Sequence, residues 1–395
     1  MMIIDLRNDV PAFRSAIRDW IAQTLPRDWA LVADRGTEDE NVAYQRWWFG
    51  ELAKQGLSVP HWPSAYGGVD LDISGQMIVA DEMARAGSPM LNVYIVTLNH
   101  LPGTLIPCGT DEQRARYLPP ASRGAVWCQG FSEPGAGSDL ASLRCRAVRD
   151  GDHYVINGQK IWSSMSRFAE HCILLVRTDP DSVKHAGISF LIMDMDTPGL
   201  EVRPIEQIDG QADFSELFLT DVRVPVANLV GAENDGWRVA QATLASERGV
   251  LAFEAGERRR HLMEDYYREA SASKAAWLED DELRRQFMTV LADMQASRRL
   301  IRDLLHDHEN GEPHATTAMA SARIKLFQTT LIQKLGDLVA RIEGLEGHIR
   351  QPFHSQRRLV GMFDYINSFS WTISGGTNEI MRNLIAERGL GLPRG

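Results

Sequence analysis

A glycine-rich segment in the first half of the chain has residue types that suit close contact with a ligand. Residues 130–140 read GFSEPGAGSDL. Glycines let a backbone approach a ligand closely, and the N–H groups of such a loop can hold an anion. The segment lacks the GxGxxG spacing, and we expect no parallel strand before it, so a Rossmann site is not indicated. A tight turn between two domains is the alternative, and these residues alone favour that turn.

Two further segments combine groups that can bind a flat or phosphorylated cofactor. Residues 158–164 read GQKIWSS, and Trp162 beside two hydroxyls can stack on a ring and hydrogen-bond its edge. A core tryptophan at the rim of a barrel explains this segment equally well. Residues 374–383 read SGGTNEIMRN, which suits a capped helix N-terminus. Such a terminus can hold phosphate, although ordinary capping is the alternative.

The elements that must position these segments fall into three regions. Residues 1–125 predict an N-terminal helical domain, in which Phe13, Ile17 and Ile21 keep helical spacing. Residues 126–235 hold short β-type runs with no room for helices between them, which predicts a small antiparallel barrel or sandwich. Within this region residues 150–152 (DGD) predict a hairpin turn between two of these runs. Residues 236–395 hold long apolar stripes, which predict an antiparallel helix bundle.

Composition excludes several classes of protein. The chain has 395 residues and a formal net charge of −11, which argues against a nucleic-acid partner. No run approaches the ~20 apolar residues of a membrane span, and the N-terminus does not resemble a secretory signal. The four cysteines lack CxxC spacing, so we expect buried thiols and a cytoplasmic protein. We expect no metal, because residues 306–308 (HDH) suit a solvated helix end, and we expect residues 257–261 (ERRRH) to form a solvated face.

Taken together, these segments resemble the acyl-CoA dehydrogenase family. The resemblance rests on their order and spacing along almost the whole chain: residues 62–68 (WPSAYGG), 132–135 (SEPG), 231–237 (GAENDGW), 246–248 (SER) and 376–380 (GTNEI). It implies an α+β multidomain fold with an N-terminal helical domain, a middle antiparallel β-barrel domain and a C-terminal four-helix bundle. It also implies a flavoprotein of lipid catabolism that oxidises an acyl-CoA thioester to trans-2-enoyl-CoA with FAD, as in β-oxidation. In that reaction a carboxylate removes the α-proton, and the β-hydrogen leaves as hydride to flavin N5.

The resemblance assigns roles in cofactor binding to several residues. Phe131 and Ser132 correspond to positions on the pyrimidine side of the flavin, and Trp162 to a position that flanks the isoalloxazine ring. Ser164 stands where the family usually has a threonine near flavin N5 and O4. Ser138 corresponds to a position that contacts the CoA moiety in relatives. Near the C-terminus, Gly376, Thr377 and Glu379 correspond to positions at the FAD pyrophosphate and ribose. For Glu379, ribose binding or helix capping is the more natural role.

The family resemblance also identifies a candidate base. Many members carry a glutamate just before the C-terminal Gly-Thr, but here that position is Gly375, which leaves room for a bulky or branched acyl group. Other members carry the base in an earlier helix, directly before an arginine. We therefore predict Glu247 as the base, with Arg248 orienting it or contacting the substrate. A solvated carboxylate on a helix is the alternative.

Two departures from the family bear on partners. An Arg-x-x-Phe-Gly segment that usually reaches the FAD of a neighbouring subunit is replaced by residues 271–277 (SASKAAW), and Arg341 stands where a glutamine is usual. The chain thus resembles the catalytic member of heteromeric, actinobacterial-type acyl-CoA dehydrogenases. We expect a homologous sister subunit in a heterotetramer, or else a homo-oligomer, and an acceptor such as an electron-transfer flavoprotein. The alternatives are a non-catalytic structural subunit, an acyl-CoA oxidase and a flavin monooxygenase.

Overall fold

The computed structural model describes residues 2–245, 250–311, 314–349 and 357–393. The chain divides into two compact units. We call the first the helical unit; it consists of Met1–Tyr44, Leu71–Met90 and Arg248–Gly395. We call the second the β unit; it consists of Gln45–Asp70 and Leu91–Glu247. The three domain boundaries inferred from the sequence stay a prediction.

The α-helices account for about half of the described residues. In chain order they are α1 (Val10–Thr24), α2 (Trp29–Arg35), α3 (Glu38–Lys54), α4 (Ile73–Ala86), α5 (Leu101–Cys108), α6 (Asp111–Ser122), α7 (Gly236–Ala245), α8 (Val250–Ser273), α9 (Asp281–Glu309), α10 (His314–Glu343), α11 (Gly361–Ile373) and α12 (Asn378–Leu384). The strands are β1 (Trp127–Gly130), β2 (Arg146–Asp150), β3 (His153–Ser164), β4 (His171–Arg177), β5 (Ile188–Asp194), β6 (Leu200–Ile205), β7 (Phe214–Pro225) and β8 (Leu229–Val230).

The helical unit follows the apolar spacing of its sequence. Helix α1 begins where the Asp9 side chain accepts the N–H of Ala12, and its predicted stripe of Phe13, Ile17 and Ile21 is buried. Helix α9 packs against α8 and α10, and α10 packs against α11. Apolar side chains spaced at helical intervals on α8, α9 and α10 fill a shared core: Met263, Phe287, Val290, Met294, Leu331, Leu335 and Leu338. The prediction of N-terminal and C-terminal helical regions is confirmed.

The β unit is built on one sheet with strand order β6-β7-β3-β2-β4-β5-β8, to which β1 is added on β4. The predicted hairpin joins β2 to β3 at Gly151, whose φ of 62° is a left-handed conformation that glycine adopts readily. Barrel closure is not confirmed, because β6 and β8 end the sheet without pairing with each other in the described part of the chain. The pairing is also not wholly antiparallel: β4 runs parallel to both β1 and β2.

Buried thiols and aliphatic side chains form the core of the sheet. Cys128, Cys145 and Cys172 are buried and unoxidised, whereas Cys108 is only half-buried. Burial raises the pKa of the Cys145 thiol to about 11, so this thiol stays protonated and behaves as a small apolar group. Among the described helices, none is long and apolar enough to cross a membrane.

Candidate active site

A bulge in β3 presents Trp162 at the surface of the β unit. Strand β3 pairs with β7, and the register shifts between Lys160 and Ser163. Within this bulge Trp162 has a φ of 63°, an uncommon conformation for a bulky side chain. A bulge re-aims a side chain away from its regular face. The Trp162 indole is consequently 55% exposed, with its ring edge-on to Phe214 at 6.1 Å.

The strand that carries Trp162 is joined to the start of the glycine-rich segment. The N–H of Ile161 donates to the carbonyl of Ser132 at 2.9 Å. The ring of Phe131 is buried edge-on against Phe190, with centroids 5.6 Å apart. Ser164 ends the same strand. The structure therefore brings together four predicted cofactor-binding residues, Phe131, Ser132, Trp162 and Ser164, within one unit.

An ion pair that the sequence analysis missed holds this arrangement in place. Lys160 is completely buried, and its Nζ donates to the Phe131 carbonyl at 3.1 Å and to Glu133 Oε1 at 2.8 Å. Glu133 also accepts the backbone N–H groups of Arg144 at 2.7 Å and Cys145 at 2.8 Å. We call Lys160 and Glu133 the clamp. Lys160 lies in the GQK segment and Glu133 in the SEP segment. The two opposite charges next to the binding motifs could have predicted this ion pair.

The clamp borders a cavity of about 390 Å³ in the β unit. The cavity is lined by residues of the glycine-rich loop together with other polar and charged residues. They are Glu133, Pro134, Gly135, Ala136, Ser142, Arg144, Cys145, Gly158 and Gln159. Ser138 is exposed on the same loop but does not line this cavity. Its proposed contact with CoA stays a prediction.

The C-terminal motif forms a capped helix start, as its sequence indicates. Gly375 and Gly376 have φ angles of 63° and 84°, and the Thr377 hydroxyl accepts the N–H of Ile380 at 3.2 Å. The φ of Gly376 is one that residues with a side chain rarely adopt, which favours glycine there. Glu379 is exposed and pairs with Arg382 at 3.1 Å; a hydrogen bond from its own backbone lowers its pKa. Capping is confirmed, and phosphate or ribose binding by this motif stays a prediction.

The predicted base and its neighbour, Glu247 and Arg248, lie outside the described residues. They fall between α7 and α8, and their roles stay predictions. The structure does describe Trp277 and Arg341, which stand at the two positions where the sequence departs from the family. Both side chains make contacts within the helical unit. Trp277 packs on Phe287 with ring centroids 5.1 Å apart, and Arg341 pairs with Asp337 at 3.0 Å.

The largest group of buried charges lies in the helical unit, and no motif indicated it. Asp81 Oδ2 accepts from Arg14 at 2.8 Å, and His261 Nε2 lies 3.0 Å from Asp81 Oδ1. Glu257 accepts from Arg260 at 2.7 Å and pairs with Arg298 at 2.9 Å. The prediction of a solvated face for residues 257–261 is wrong, because Glu257, Arg258, Arg260 and His261 are buried. We call the ion-paired group the Asp81 cluster: Arg14, Arg18, Asp81, Glu82, Glu257, Arg260, His261, Glu264 and Arg298.

The Asp81 cluster has metal-ligand types but the wrong charge balance for a metal site. Ligand atoms of Asp81, Glu257 and His261 lie within 4.8 Å of one another. Their carboxylates already bind arginines, and the four carboxylates of the cluster face four arginines. A divalent ion would add buried charge without a counter-charge, which is strongly unfavourable. The cluster is therefore an ion-pair network that joins α1, α4, α8 and α9.

Three family models match the chain in sequence order. They are the acyl-CoA dehydrogenase N-terminal domain over residues 8–125, the middle domain over 128–222 and the C-terminal domain over 234–390. The chain belongs to the acyl-CoA dehydrogenase family, a family of enzymes whose members generally bind FAD.

Similar proteins include curated enzymes and solved structures. The acyl-CoA dehydrogenase IpdE1 of Mycobacterium tuberculosis is 37% identical over 393 residues, which cover 98% of each chain. A solved structure described as the Tcur3481-Tcur3483 steroid ACAD matches with a TM-score of 0.84 and 33% identity over 98% of both chains. The ChsE4-ChsE5 complex from Mycobacterium tuberculosis matches with a TM-score of 0.80 and 31% identity, again over 98% of both chains.

Proposed function

We propose that this protein catalyses FAD-dependent α,β-dehydrogenation of an acyl-CoA thioester to trans-2-enoyl-CoA. The observation that carries the proposal is the exposed indole of Trp162, which a bulge holds beside Ser164 and the Phe131–Ser132 segment. An exposed aromatic surface bordered by hydroxyl and backbone groups suits a flat heteroaromatic ring with polar edges. When bound, FAD supplies the acceptor for the β-hydrogen of the substrate.

The residues of this chain divide the remaining tasks. Trp162 flanks the isoalloxazine ring, Phe131 and Ser132 lie on its pyrimidine side, and Ser164 donates a hydrogen bond near N5. The capped start of α12, with Gly376, Thr377 and Glu379, binds the pyrophosphate and ribose. The left-handed glycines there support this role, because they let the backbone approach a ligand closely.

Glu247 removes the α-proton of the substrate, and Arg248 orients Glu247 or binds the thioester. An α-C–H is a very weak acid, so hydrogen bonds to the thioester carbonyl and exclusion of water must assist the carboxylate. Ser138 binds the CoA moiety, and the absence of a side chain at Gly375 leaves space for a bulky acyl group. The names of the similar steroid enzymes favour such a group.

A sister subunit completes the cofactor site. Two observations support this part of the proposal. Trp277 and Arg341 stand where relatives carry the residues that reach a neighbour's FAD, and here both are used for contacts within their own unit. The similar ChsE4-ChsE5 structure is a complex of two named proteins. The partner that would accept the electrons is a protein such as an electron-transfer flavoprotein.

The experiment that tests the activity is an anaerobic titration of the flavin-loaded protein with straight, branched and cyclic acyl-CoA thioesters. We expect bleaching of the flavin absorbance and formation of the 2-enoyl product. Glu247→Gln should slow bleaching by about 10²–10⁴-fold, the usual contribution of a positioned base. Glu112→Gln is the matched control, since Glu112 is an exposed glutamate on α6 that has no role in the proposed site. Full bleaching at the normal rate in Glu247→Gln would contradict the assignment of the base.

The subunit question has its own measurement. The visible spectrum of the protein purified alone reports its flavin content. We expect little flavin alone and full occupancy after co-expression with a homologous partner. Full occupancy of the isolated chain would remove the need for a sister subunit. Hydrogen peroxide released with acyl-CoA in air would instead indicate an acyl-CoA oxidase.

A further inference from the structure

The cavity beside the clamp is open to solvent. Its volume of about 390 Å³ lies within the range of small-molecule sites. Four of the residues that line it are exposed, so a ligand can enter without rearrangement: Pro134, Gly135, Ser142 and Arg144. A Cβ on Gly135 would have no atom within 4 Å, which shows that there is open space beside the loop. The whole lining belongs to the β unit.

Arg144 gives this cavity a positive charge. Its guanidinium makes no hydrogen bond or ion pair with any residue that the structure describes. The other charged residue of the lining is Glu133, which Lys160 neutralises and whose oxygens also accept two backbone N–H groups. The cavity and the clamp together therefore carry one net positive charge. Such a charge attracts an anion, and the planar guanidinium suits the oxygens of a phosphate group.

The cavity lies on the same face of β3 as the Trp162 indole. Lys160 and Ser163 are completely buried, so both point into the core. Gln159 is partly exposed and Trp162 is exposed, because the bulge turns Trp162 away from the core. Gln159 lines the cavity three positions before Trp162, a separation of at most about 10 Å at the rise of a strand. A ligand whose ring stacks on Trp162 can therefore extend along β3 into the cavity.

The residues that the family resemblance assigns to the FAD pyrophosphate supply no positive charge. Gly376 and Thr377 are neutral, and Glu379 is an acid that pairs with Arg382. The Arg-x-x-Phe-Gly segment that reaches the FAD of a neighbouring subunit in relatives is replaced here by residues 271–277. A diphosphate that leaves water needs a counter-charge, because an uncompensated buried charge is strongly unfavourable. Arg144 is a cation that meets this need.

We propose that this cavity is a diphosphate-binding subsite in which Arg144 neutralises the ligand. Both FAD and acyl-CoA, the two ligands of the proposed reaction, carry a diphosphate. The position of the cavity beside Trp162 favours the diphosphate of FAD, since a ribityl chain joins that group to the flavin ring. This inference rests on the proposed dehydrogenase function, and it adds to the cofactor site a residue that the family resemblance does not assign.

The test is an equilibrium titration of the flavin-free protein with FAD, followed by flavin fluorescence. It includes the sister subunit where flavin binding requires one. In Arg144→Met we expect FAD affinity to fall about 10- to 100-fold, as for the loss of a hydrogen bond between charged groups. Arg146→Met is the matched control, because Arg146 is also exposed but does not line the cavity. Its effect should stay below about 3-fold at physiological salt, which screens exposed charges.

Two further measurements test the space and identify the ligand. Gly135→Leu changes no charge but places a side chain in the open space beside the loop, so it should lower the affinity for the same ligand at least about 5-fold. Calorimetry measures the binding of CoA to the flavin-loaded protein. A loss of CoA affinity in Arg144→Met, with unchanged FAD affinity, would assign the diphosphate to acyl-CoA instead of FAD.

The outcomes separate this inference from the function on which it rests. Unchanged affinity for both FAD and CoA in Arg144→Met would overturn the inference and leave the dehydrogenase function standing, as would wild-type affinities in Gly135→Leu. Equal losses in Arg144→Met and Arg146→Met would also overturn it, because the general charge of the surface would then attract the ligand. A protein that binds no flavin, with or without a sister subunit, would overturn both the inference and the proposed function.

Discussion

The clamp in the β unit and the Asp81 cluster in the helical unit both bury charge, but they do so differently. The clamp is one lysine and one carboxylate, and two backbone N–H groups complete the carboxylate's hydrogen bonds. The Asp81 cluster is built from side chains on four helices, and its ion pairs join residues that are far apart in the sequence, such as Asp81 and Arg260. In both arrangements hydrogen-bond donors satisfy the lone pairs of a buried carboxylate, which offsets the free-energy cost of burying its charge.

The two groups of buried charge have different roles. The clamp holds the Phe131 carbonyl and lies next to the strand that presents Trp162, so it serves the geometry of the candidate site. The Asp81 cluster contacts none of the predicted site residues that the structure describes. Its role is to join helices that are distant in sequence. Loss of the clamp should therefore affect the flavin, and loss of the cluster should affect the fold.

The largest effect is expected for Asp81→Ala. This change removes the acceptor that Arg14, Arg260 and His261 share, and of these Arg260 and His261 are buried. Removing one partner of a buried ion pair costs about 3–5 kcal/mol, so we expect a loss of that size in the free energy of unfolding. Urea denaturation followed by circular dichroism measures it. A loss below about 1 kcal/mol would show that the cluster does not stabilise the helical unit.

Lys160→Met should have the next largest effect on stability and a distinct effect on the cofactor. Glu133 keeps its two backbone donors, so we expect a loss of about 2–3 kcal/mol, less than a complete break of a buried pair. The Phe131 carbonyl loses its tether, and FAD affinity should fall at least 10-fold by equilibrium titration. Folded Asp81→Ala serves as the control and should keep its FAD affinity. Equal loss of flavin in both variants would contradict the division of roles.

The acid stability of the protein should depend on the cluster. Burial opposes ionisation of Asp81, but hydrogen bonds from His261 and Arg14 outweigh it and hold the pKa of Asp81 well below its usual range. The unfolded chain then binds the proton first, so this contribution is present above about pH 4 and is lost as the pH falls below that value. Asp81→Asn should make the decline in unfolding free energy between pH 5 and pH 3 shallower. If the unfolding free energies of the wild type and Asp81→Asn fell in parallel with decreasing pH, Asp81 would not be the origin of the acid dependence.

The smallest effect is expected for an exposed ion pair on the same helix bundle. Arg299 pairs with Asp303 at 2.8 Å on the solvent side of α9, with side chains 66% and 47% exposed. Water already solvates both groups, so Arg299→Met should change the free energy of unfolding by less than about 0.5 kcal/mol. The same urea titration provides the comparison. A loss approaching that of Asp81→Ala would show that burial does not explain the contrast.

Local pattern was enough to predict much of the fold. The spacing of Phe13, Ile17 and Ile21 predicted α1, the Asp-Gly-Asp turn predicted the β2–β3 hairpin, and Thr377 predicted a helix cap. Each of these predictions depends only on residues that lie close together in the sequence. Barrel closure was not predictable in this way, because it depends on which strand edges meet.

The motifs of the candidate site could be identified from the sequence, since Phe131, Ser132, Trp162 and Ser164 lie in two short segments. Which charges are buried, in contrast, depends on how the helices pack. Residues 257–261 have the composition of a solvated face, but α8 places Glu257 and Arg260 beside Asp81 and Arg298. The physical reason is that the cost of burying a charge depends on the partners that surround it. Those partners come from distant parts of the chain and meet only when the helices pack.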